Sequence, residues 1–280
     1  MRDDETSAGH VPEGRLHGIF AKLNALDIAD TAVGDFYSAD LADFYVLMMR
    51  EYVADIPIFE REAGRAGAKV LDLACGAGRI SIALAQKGYH VTGIDNSQAM
   101  LDLAARDLEH ETATVRERIN LRLGDMTRFD LGETYDLIIV GITSISLLLT
   151  REDRHSMMQC VRRHLALGGT FVFDILSLED DEWQHYDNYH DVYSSESEQG
   201  SDVSIVGQKF YPADRRFVFC VYRELIGWDG DTRRFIGYSE KAWLRQAEIR
   251  EELDSAGFRL IEEQRAGGQV YFASKDGSDG

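Results

Sequence analysis

A glycine turn between a buried strand and a helix constrains the fold of this chain more than any other feature. Residues 70–80 have the sequence VLDLACGAGRI, an apolar run that meets Gly76 and Gly78 and continues with helical periodicity. A second apolar run over residues 90–94 ends at Asp95. In open parallel sheets, ligands bind beyond the carboxyl ends of the strands, where the strand order reverses. The pattern therefore predicts a pocket for a cofactor that carries a nucleoside.

Strands and helices are predicted to alternate from residue 69 to residue 175, because apolar runs of strand length are separated by segments with helical spacing. Such alternation is typical of a parallel, doubly wound α/β sheet with helices on both faces. The predicted strands lie at residues 70–73, 90–94, 120–123, 135–140 and 170–175. The predicted helices lie at residues 79–86, after a cap at Ser97, and from a cap at Thr150 to the glycine pair at 168–169.

The two flanking parts of the chain follow other patterns. Helical spacing over residues 36–61 predicts an N-terminal helix. Beyond residue 178, apolar segments at 203–206 and 217–222 with turn signals between them predict an antiparallel meander. We therefore divide the chain into an N-terminal tail and helical cap (1–65), a cofactor-binding core (66–178 and 239–280) and an antiparallel insertion that caps the substrate (179–238). A closing hairpin is predicted at residues 259–262 and 269–274.

Charge and cysteine content exclude several classes of function. The formal net charge of −19 disfavours nucleic acid and anionic membranes as partners, because phosphate binding needs clustered Lys and Arg. Three widely separated cysteines without a C-x-x-C pair indicate neither a metal site nor a disulfide framework. The first residues lack the pattern of a signal peptide, and the longest apolar run is too short to cross a bilayer. A cytoplasmic protein is expected.

The residues around the turn discriminate between cofactors. A dinucleotide fingerprint would place a third glycine three positions after Gly78, where this chain has Ser81. Asp72 would repel a pyrophosphate, whereas it suits a cationic amino-acid moiety. Asp95 is placed to accept hydrogen bonds from ribose hydroxyls, and Asp125, after a third strand, to reach an adenine edge. These residues favour a nucleoside cofactor without phosphate, a description that S-adenosylmethionine meets.

Several segments closely resemble the class I S-adenosylmethionine-dependent methyltransferases. They lie at residues 70–80, 91–97 with Met100, 124–126, 135–138, 165–169 and 256–258. The resemblance implies a Rossmann-like sheet of seven mostly parallel strands, with S-adenosylmethionine as cofactor and S-adenosylhomocysteine as product. It places the methionine moiety at Asp72, Gly76 and Gly78, the ribose at Asp95, the nucleoside at Asn96 and Met100, and the adenine at Asp125 and Met126, with Ala74 and Gly141 as further cofactor-binding residues.

The segment after the fourth strand indicates the acceptor class. Residues 141–147 lack the Asn/Asp-Pro-Pro-aromatic motif of nucleobase and glutamine methyltransferases, and also the metal-binding carboxylates of catechol-type enzymes. They resemble amino-sugar and glycine-type N-methyltransferases, whose upstream Tyr-containing segment closes over the cofactor. We therefore predict a small-molecule amine of specialised metabolism as acceptor. The candidate catalytic residues are Tyr37, Tyr45, Ser144, and His185 and His190 from a cluster that also contains Tyr186, Asp187 and Tyr189.

Each candidate has a structural alternative. Tyr37 and Tyr45 would serve equally as core aromatics, Ser144 as a helix cap, and the histidines as solvated loop residues. Other functions also stay open: N-methylation of the amine terminus of a modified peptide, small-molecule O-methylation, or a binding module without turnover. A nicotinamide oxidoreductase is disfavoured by Ser81. The expected partner is a small molecule or short peptide, and a homodimer is left open.

Overall fold

A computed structural model of the chain describes residues 14–39, 41–176, 178, 182–185, 187–198, 200–266 and 268–277. The helices are α1 Gly18–Ala25, α2 Ala42–Met49, α3 Ile56–Ala66, α4 Arg79–Gln86, α5 Gln98–Glu109, α6 Ala113–Arg116, α7 Arg151–His164 and α8 Gln246–Ser255. The strands are β1 Thr31–Asp35, β2 Lys69–Leu73, β3 His90–Asp95, β4 Ile119–Leu123, β5 Tyr135–Val140, β6 Leu165–Leu176, β7 Tyr189–Ser197, β8 Gly200–Tyr211, β9 Arg216–Gly227, β10 Thr232–Ala242, β11 Phe258–Ala266 and β12 Gln269–Asp276. None of the helices in these residues is long and apolar enough to cross a lipid bilayer.

The chain divides into two compact units. The core unit comprises Ala42–Leu178 and Ala242–Gly280, and the second unit comprises Met1–Leu41 and Glu179–Lys241. Helices α2 and α3 thus belong to the core unit. The capping roles assigned to residues 1–65 and 179–238 stay a prediction, and the first thirteen residues of the tail lie outside the described ranges.

The core unit contains a seven-stranded, mostly parallel sheet with the order β11-β12-β6-β5-β2-β3-β4. The five strands from β6 to β4 are parallel, while β12 runs antiparallel to β6 and β11 antiparallel to β12. The chain proceeds from β2 outward through β3 and β4 and then returns to β5, on the other side of β2. This confirms the predicted Rossmann-like architecture and puts the reversal of strand order between β2 and β5.

Both faces of this sheet are covered, which explains why its strands are continuous apolar runs. Because side chains alternate along a strand, Leu71 and Leu73 join one buried cluster, together with residues of α7 and α8. Val70 joins the other cluster, together with residues of α3 and α4. The helix caps at Ser97 and Thr150 are confirmed, since each hydroxyl accepts the backbone N–H three residues on.

Two predicted boundaries were wrong. The helix that Thr150 opens ends at His164, and β6 already begins at Leu165, before the glycine pair. Tyr135 of β5 pairs with Leu165 of β6, but Leu137 pairs with Thr170, so β6 has extra residues between these two pairs. The N-terminal helical pattern is split into α2 and α3, because Pro57 occupies the first turn of α3, where proline fits, and could not lie inside a longer helix.

The second unit contains a five-stranded sheet with the order β1-β10-β9-β8-β7. The β7–β8 and β8–β9 pairs are antiparallel, as the meander prediction required, whereas β1 pairs parallel to β10. Phe20 of α1 is buried against Val218, Cys220 and Ile236 on one face of the sheet. Neither α1 nor β1 was predicted from the sequence.

Candidate functional site

A pocket lies at the reversal of strand order in the core unit. The turn after β2 supplies residues 74–77 to its wall, and the turn after β5 supplies Gly141, Ile142 and Ser144. Tyr45 of α2 lines it as well. The pocket therefore stands where open parallel sheets place their ligands. Of the predicted site residues, those that line it are Tyr45, Asp72, Ala74, Gly76, Gly141 and Ser144.

The two predicted glycines of the β2 turn have different roles. Gly76 has a left-handed backbone with φ of 55°, and a Cβ added to it would meet no atom within 4 Å. Gly78, with φ of 80°, precedes α4, and an added Cβ would lie 3.3 Å from Cβ of Ala104. Gly76 thus exposes its backbone to open space in the pocket, whereas Gly78 allows close packing of α4 against α5.

Asp95 ties the β2 turn to the start of α5. Its Oδ2 atom accepts the backbone N–H of Gly76 at 2.8 Å, and its Oδ1 atom accepts that of Ser97 at 2.8 Å. Burial raises the pKa of the Asp95 carboxyl, and these backbone donors oppose that shift. The backbone N–H of Asn96 is a third donor to this carboxylate, and its two oxygens have about four lone-pair sites, so an acceptor position is left that suits a hydroxyl donor. The adjacent Asn96 is exposed, and Met100 is buried in the first turn of α5.

Asp72 is a buried carboxyl within the pocket wall. Its Oδ2 atom accepts the hydroxyl of Ser81 at 2.6 Å. Burial raises the pKa of Asp72 to about 7, against the opposing effects of Ser81 and the nearby Arg79 guanidinium. Ser81, which stands where a dinucleotide fingerprint would have its third glycine, therefore has a role of its own, because its hydroxyl donates a hydrogen bond to this carboxyl. The sequence analysis missed that role.

An ion pair that the sequence analysis also missed fixes the segment before α3. The Arg79 guanidinium donates to both oxygens of the buried Asp55 carboxylate, at 2.7 and 2.5 Å. It also donates to the backbone oxygen of Tyr52 at 2.8 Å. An arginine directly after the glycine turn was the available signal, but its partner is 24 positions away. The pair joins the start of α4 to the segment between α2 and α3.

The turn after β5 has an unusual backbone. Ile142 and Thr143 have φ of 52° and 54°, and the N–H of Thr143 donates to Oδ2 of Asp174 at 2.7 Å. Asp174 is fully buried and was not predicted as a site residue. Ser144 begins a short 3-10 helix whose cap position is held by Thr143, so Ser144 is not the cap.

Asp125 and Met126 follow β4 and do not line the pocket. The Asp125 carboxylate accepts the backbone N–H and the hydroxyl of Thr127, at 2.8 and 2.7 Å, and lies 3.2 Å from Nε of Arg128. Met126 is buried in the apolar cluster that contains Leu73. Their predicted contact with adenine stays a prediction.

Three candidate residues belong to the second unit. The backbone N–H of Tyr37 donates to Asp35 Oδ1 at 2.8 Å, and the Tyr37 ring packs 5.5 Å from that of Phe36. His185 is exposed in a short 3-10 helix. His190 lies on β7, with its ring stacked on Phe20 at 5.9 Å. Tyr186, predicted in the same cluster as the two histidines, lies outside the described residues. The catalytic roles of Tyr37, His185 and His190 stay predictions.

Comparisons with known proteins agree with this geometry. Residues 70–169 match a family model described as a methyltransferase domain. The Bacillus subtilis protein named "Putative methyltransferase YqeM" is 31% identical over 193 residues, 69% of this chain and 74% of the relative.

Two further relatives match over less than half of their own length. The cypemycin N-terminal methyltransferase of a Streptomyces species is 30% identical over 109 residues, 39% of this chain and 42% of the relative. The dTDP-4-amino-2,3,4,6-tetradeoxy-D-glucose N,N-dimethyltransferase of Saccharopolyspora spinosa is 30% identical over 105 residues, 38% of this chain and 39% of the relative.

Solved structures share the fold at low sequence identity. An S-adenosylmethionine-dependent methyltransferase from Clostridium acetobutylicum superimposes with a TM-score of 0.67 at 19% identity, covering 85% of this chain and 98% of that one. A sugar N-methyltransferase from a Streptoalloteichus species has a TM-score of 0.65 at 19% identity, covering 97% of this chain and 98% of that one.

Proposed function

Since this chain belongs to the class I S-adenosylmethionine-dependent methyltransferases, we propose that it methylates an amine nitrogen of a small molecule in natural-product metabolism. The chain is an enzyme of this family, and S-adenosylmethionine is its cofactor. When bound, S-adenosylmethionine supplies an electrophilic methyl group on a positively charged sulfur.

The observation that carries the proposal is the open space in front of Gly76, at the reversal of strand order. A ligand there meets the Gly76 backbone and the Asp72 carboxyl, which suits the cationic amino-acid end of the cofactor. Asp95 holds the turn through the Gly76 N–H and has an acceptor position left for a ribose hydroxyl. We assign the remaining cofactor contacts to Ala74, Gly78, Asn96, Met100, Asp125, Met126 and Gly141.

The pocket chemistry supports an amine as acceptor. Transfer to a nitrogen lone pair depends on alignment and on excluding water, with a base needed only where the acceptor must lose a proton. The described residues that line the pocket include neither His nor Lys, so they offer no nitrogen base to an acceptor that must lose a proton, whereas a neutral amine presents its lone pair without one. Tyr45 and Ser144 are our candidates for orienting the acceptor. Tyr37, His185 and His190 stay candidates from the sequence.

An acceptor panel tests the proposal. The purified chain is incubated with S-adenosylmethionine and, separately, with amino sugars, nucleotide-linked amino sugars, phenols and peptides that have free amine termini. Mass spectrometry then detects the addition of one or two methyl groups. We expect addition to a small amine. Modification of phenols alone would overturn the proposal in favour of O-methylation.

A second candidate function is methylation of the amine terminus of a peptide. The similarity to the cypemycin N-terminal methyltransferase favours it. In a competition between a small amino sugar and an equimolar peptide, a peptide methyltransferase modifies the peptide and leaves the sugar unchanged. Blocking the peptide terminus by acetylation separates terminal methylation from methylation of a side chain.

A further inference from the structure

Strained backbone in the core unit is concentrated at the pocket. Among the described residues of that unit, the residues other than glycine with a left-handed backbone are Ala74, Ile142 and Thr143. Ala74 and Ile142 line the pocket, and Thr143 lies between Ile142 and Ser144, which also lines it. Two of the three are β-branched, the side-chain class that tolerates this conformation least. Such strain persists only where the surrounding structure enforces it, and it gathers at functional sites.

Asp174 enforces the conformation of the β5 turn from one side. It follows Phe173, the last residue of β6 that pairs with β5. Its fully buried carboxylate accepts the Thr143 N–H at 2.7 Å. Since breaking this bond would leave a buried amide unsatisfied, the bond opposes relaxation of Thr143 to an ordinary backbone conformation.

Helix α4 confines the turn from another side. A Cβ added at Gly141 would lie 2.5 Å from Cδ1 of Ile80, so the backbone of Gly141 already packs against that side chain. The N–H of Ser144 donates to the oxygen of Gly141 at 3.1 Å, which closes the turn. The strained pair is therefore held between β6 and α4.

We propose that Asp174 is a positioning residue, which holds Ile142 and Thr143 in their strained conformation so that this wall of the pocket is formed before ligand binds. The inference rests on the proposed function, in which the pocket takes S-adenosylmethionine. A preformed wall lowers the entropy lost on binding, so its benefit is seen in affinity. Asp174 itself does not line the pocket and acts through the Thr143 amide.

The test measures binding of S-adenosylhomocysteine by calorimetry, together with the melting temperature of the ligand-free protein. We expect Asp174→Ala to weaken binding about tenfold, because a relaxed turn must be reordered by the ligand. Asp174→Asn keeps an oxygen acceptor for the Thr143 N–H and should retain most of the affinity. Independently, Asp174→Ala should weaken binding less in a Thr143→Gly background, because glycine adopts the left-handed conformation without strain and does not need Asp174 to hold it.

Asp136→Ala is the matched control. Asp136 Oδ2 also accepts a backbone N–H, that of Lys69 at 3.0 Å, but at the amino ends of the strands. Its removal should lower the melting temperature and leave affinity unchanged. Equal binding by Asp174→Ala and the wild type, or the same loss of affinity on Asp174→Ala in the Thr143→Gly background, would overturn the inference while leaving the proposed function intact. Failure of the wild type to bind S-adenosylhomocysteine would overturn both.

Discussion

The carboxylate of Asp95 accepts the backbone N–H of Gly76 at 2.8 Å, so the residue assigned to the ribose also holds the glycine turn assigned to the methionine moiety. The two halves of the proposed cofactor site are thus coupled through one side chain. Asp95→Ala removes both the bond to the turn and the acceptor for ribose hydroxyls.

We therefore expect Asp95→Ala to weaken S-adenosylhomocysteine binding by about tenfold to a hundredfold, since hydrogen bonds to charged groups contribute about 1.5–3 kcal/mol. Calorimetric titration measures the change. Asp102→Ala is the control, because Asp102 is an exposed carboxylate of α5, the helix that follows Asp95, and accepts a hydrogen bond from Gln98 within that helix. Retention of full affinity by Asp95→Ala would show that the ribose assignment is wrong.

The buried Asp72 carboxyl predicts a pH dependence of stability. Burial raises the pKa of Asp72 from 3.8 to about 7, so between these values the folded state binds more protons than the unfolded state. The contribution of Asp72 to the free energy of unfolding is therefore fully present below pH 3.8 and is lost as the pH rises through 7.

Asp72→Asn should remove this slope, because an amide does not titrate. Urea denaturation of both proteins at several pH values between 4 and 8 measures it, and the difference between their free energies of unfolding isolates Asp72 from other titrating groups. The variant should gain stability relative to the wild type as the pH rises. A difference that stays constant over this range would contradict the prediction.

The ion pair between Arg79 and Asp55 predicts a large loss of stability when one partner is removed. Arg79→Met leaves the buried Asp55 carboxylate without its cation, which costs about 3–5 kcal/mol in buried pairs. Arg79→Met combined with Asp55→Asn should cost less than the sum of the two single changes. Equilibrium denaturation of the four proteins measures this coupling.

The control for that cycle is the pair of Arg250 and Glu263, which is more exposed and has its charged atoms 2.8 Å apart. Arg250→Met should cost less than about 1 kcal/mol, as exposed pairs do. Equal losses for the two arginine variants would show that burial of Asp55 does not determine the cost.

The elements predicted well are those whose ends carry local signals. Strand β5 was predicted with its observed bounds, as was α4, which is followed by Gly88 with φ of 103°. Strand β6 was misjudged at its start, because the irregular register that lets Leu165 pair with Tyr135 has no periodic signature.

The missed features are contacts between distant positions. Asp174 is 31 positions from Thr143, and the parallel pairing of β1 with β10 joins segments about two hundred positions apart. Neither follows from periodicity or turn composition, since each depends on where the chain returns in space.

The contact between Gly141 and Ile80 predicts a substitution with a specific rescue. Gly141→Ala would bring its Cβ to 2.5 Å from Cδ1 of Ile80, so the turn or α4 must shift. We expect a loss of about 1–3 kcal/mol in the free energy of unfolding, as for other overpacked sites. Ile80→Val deletes Cδ1, so Gly141→Ala should cost less in the Ile80→Val background, although Ile80→Val itself costs about 0.5–1.5 kcal/mol. Gly132→Ala, at a glycine with φ of 67° and no atom within 4 Å of an added Cβ, should cost the same in both backgrounds. If the cost of Gly141→Ala were also equal in the two backgrounds, the steric account of this turn would be wrong.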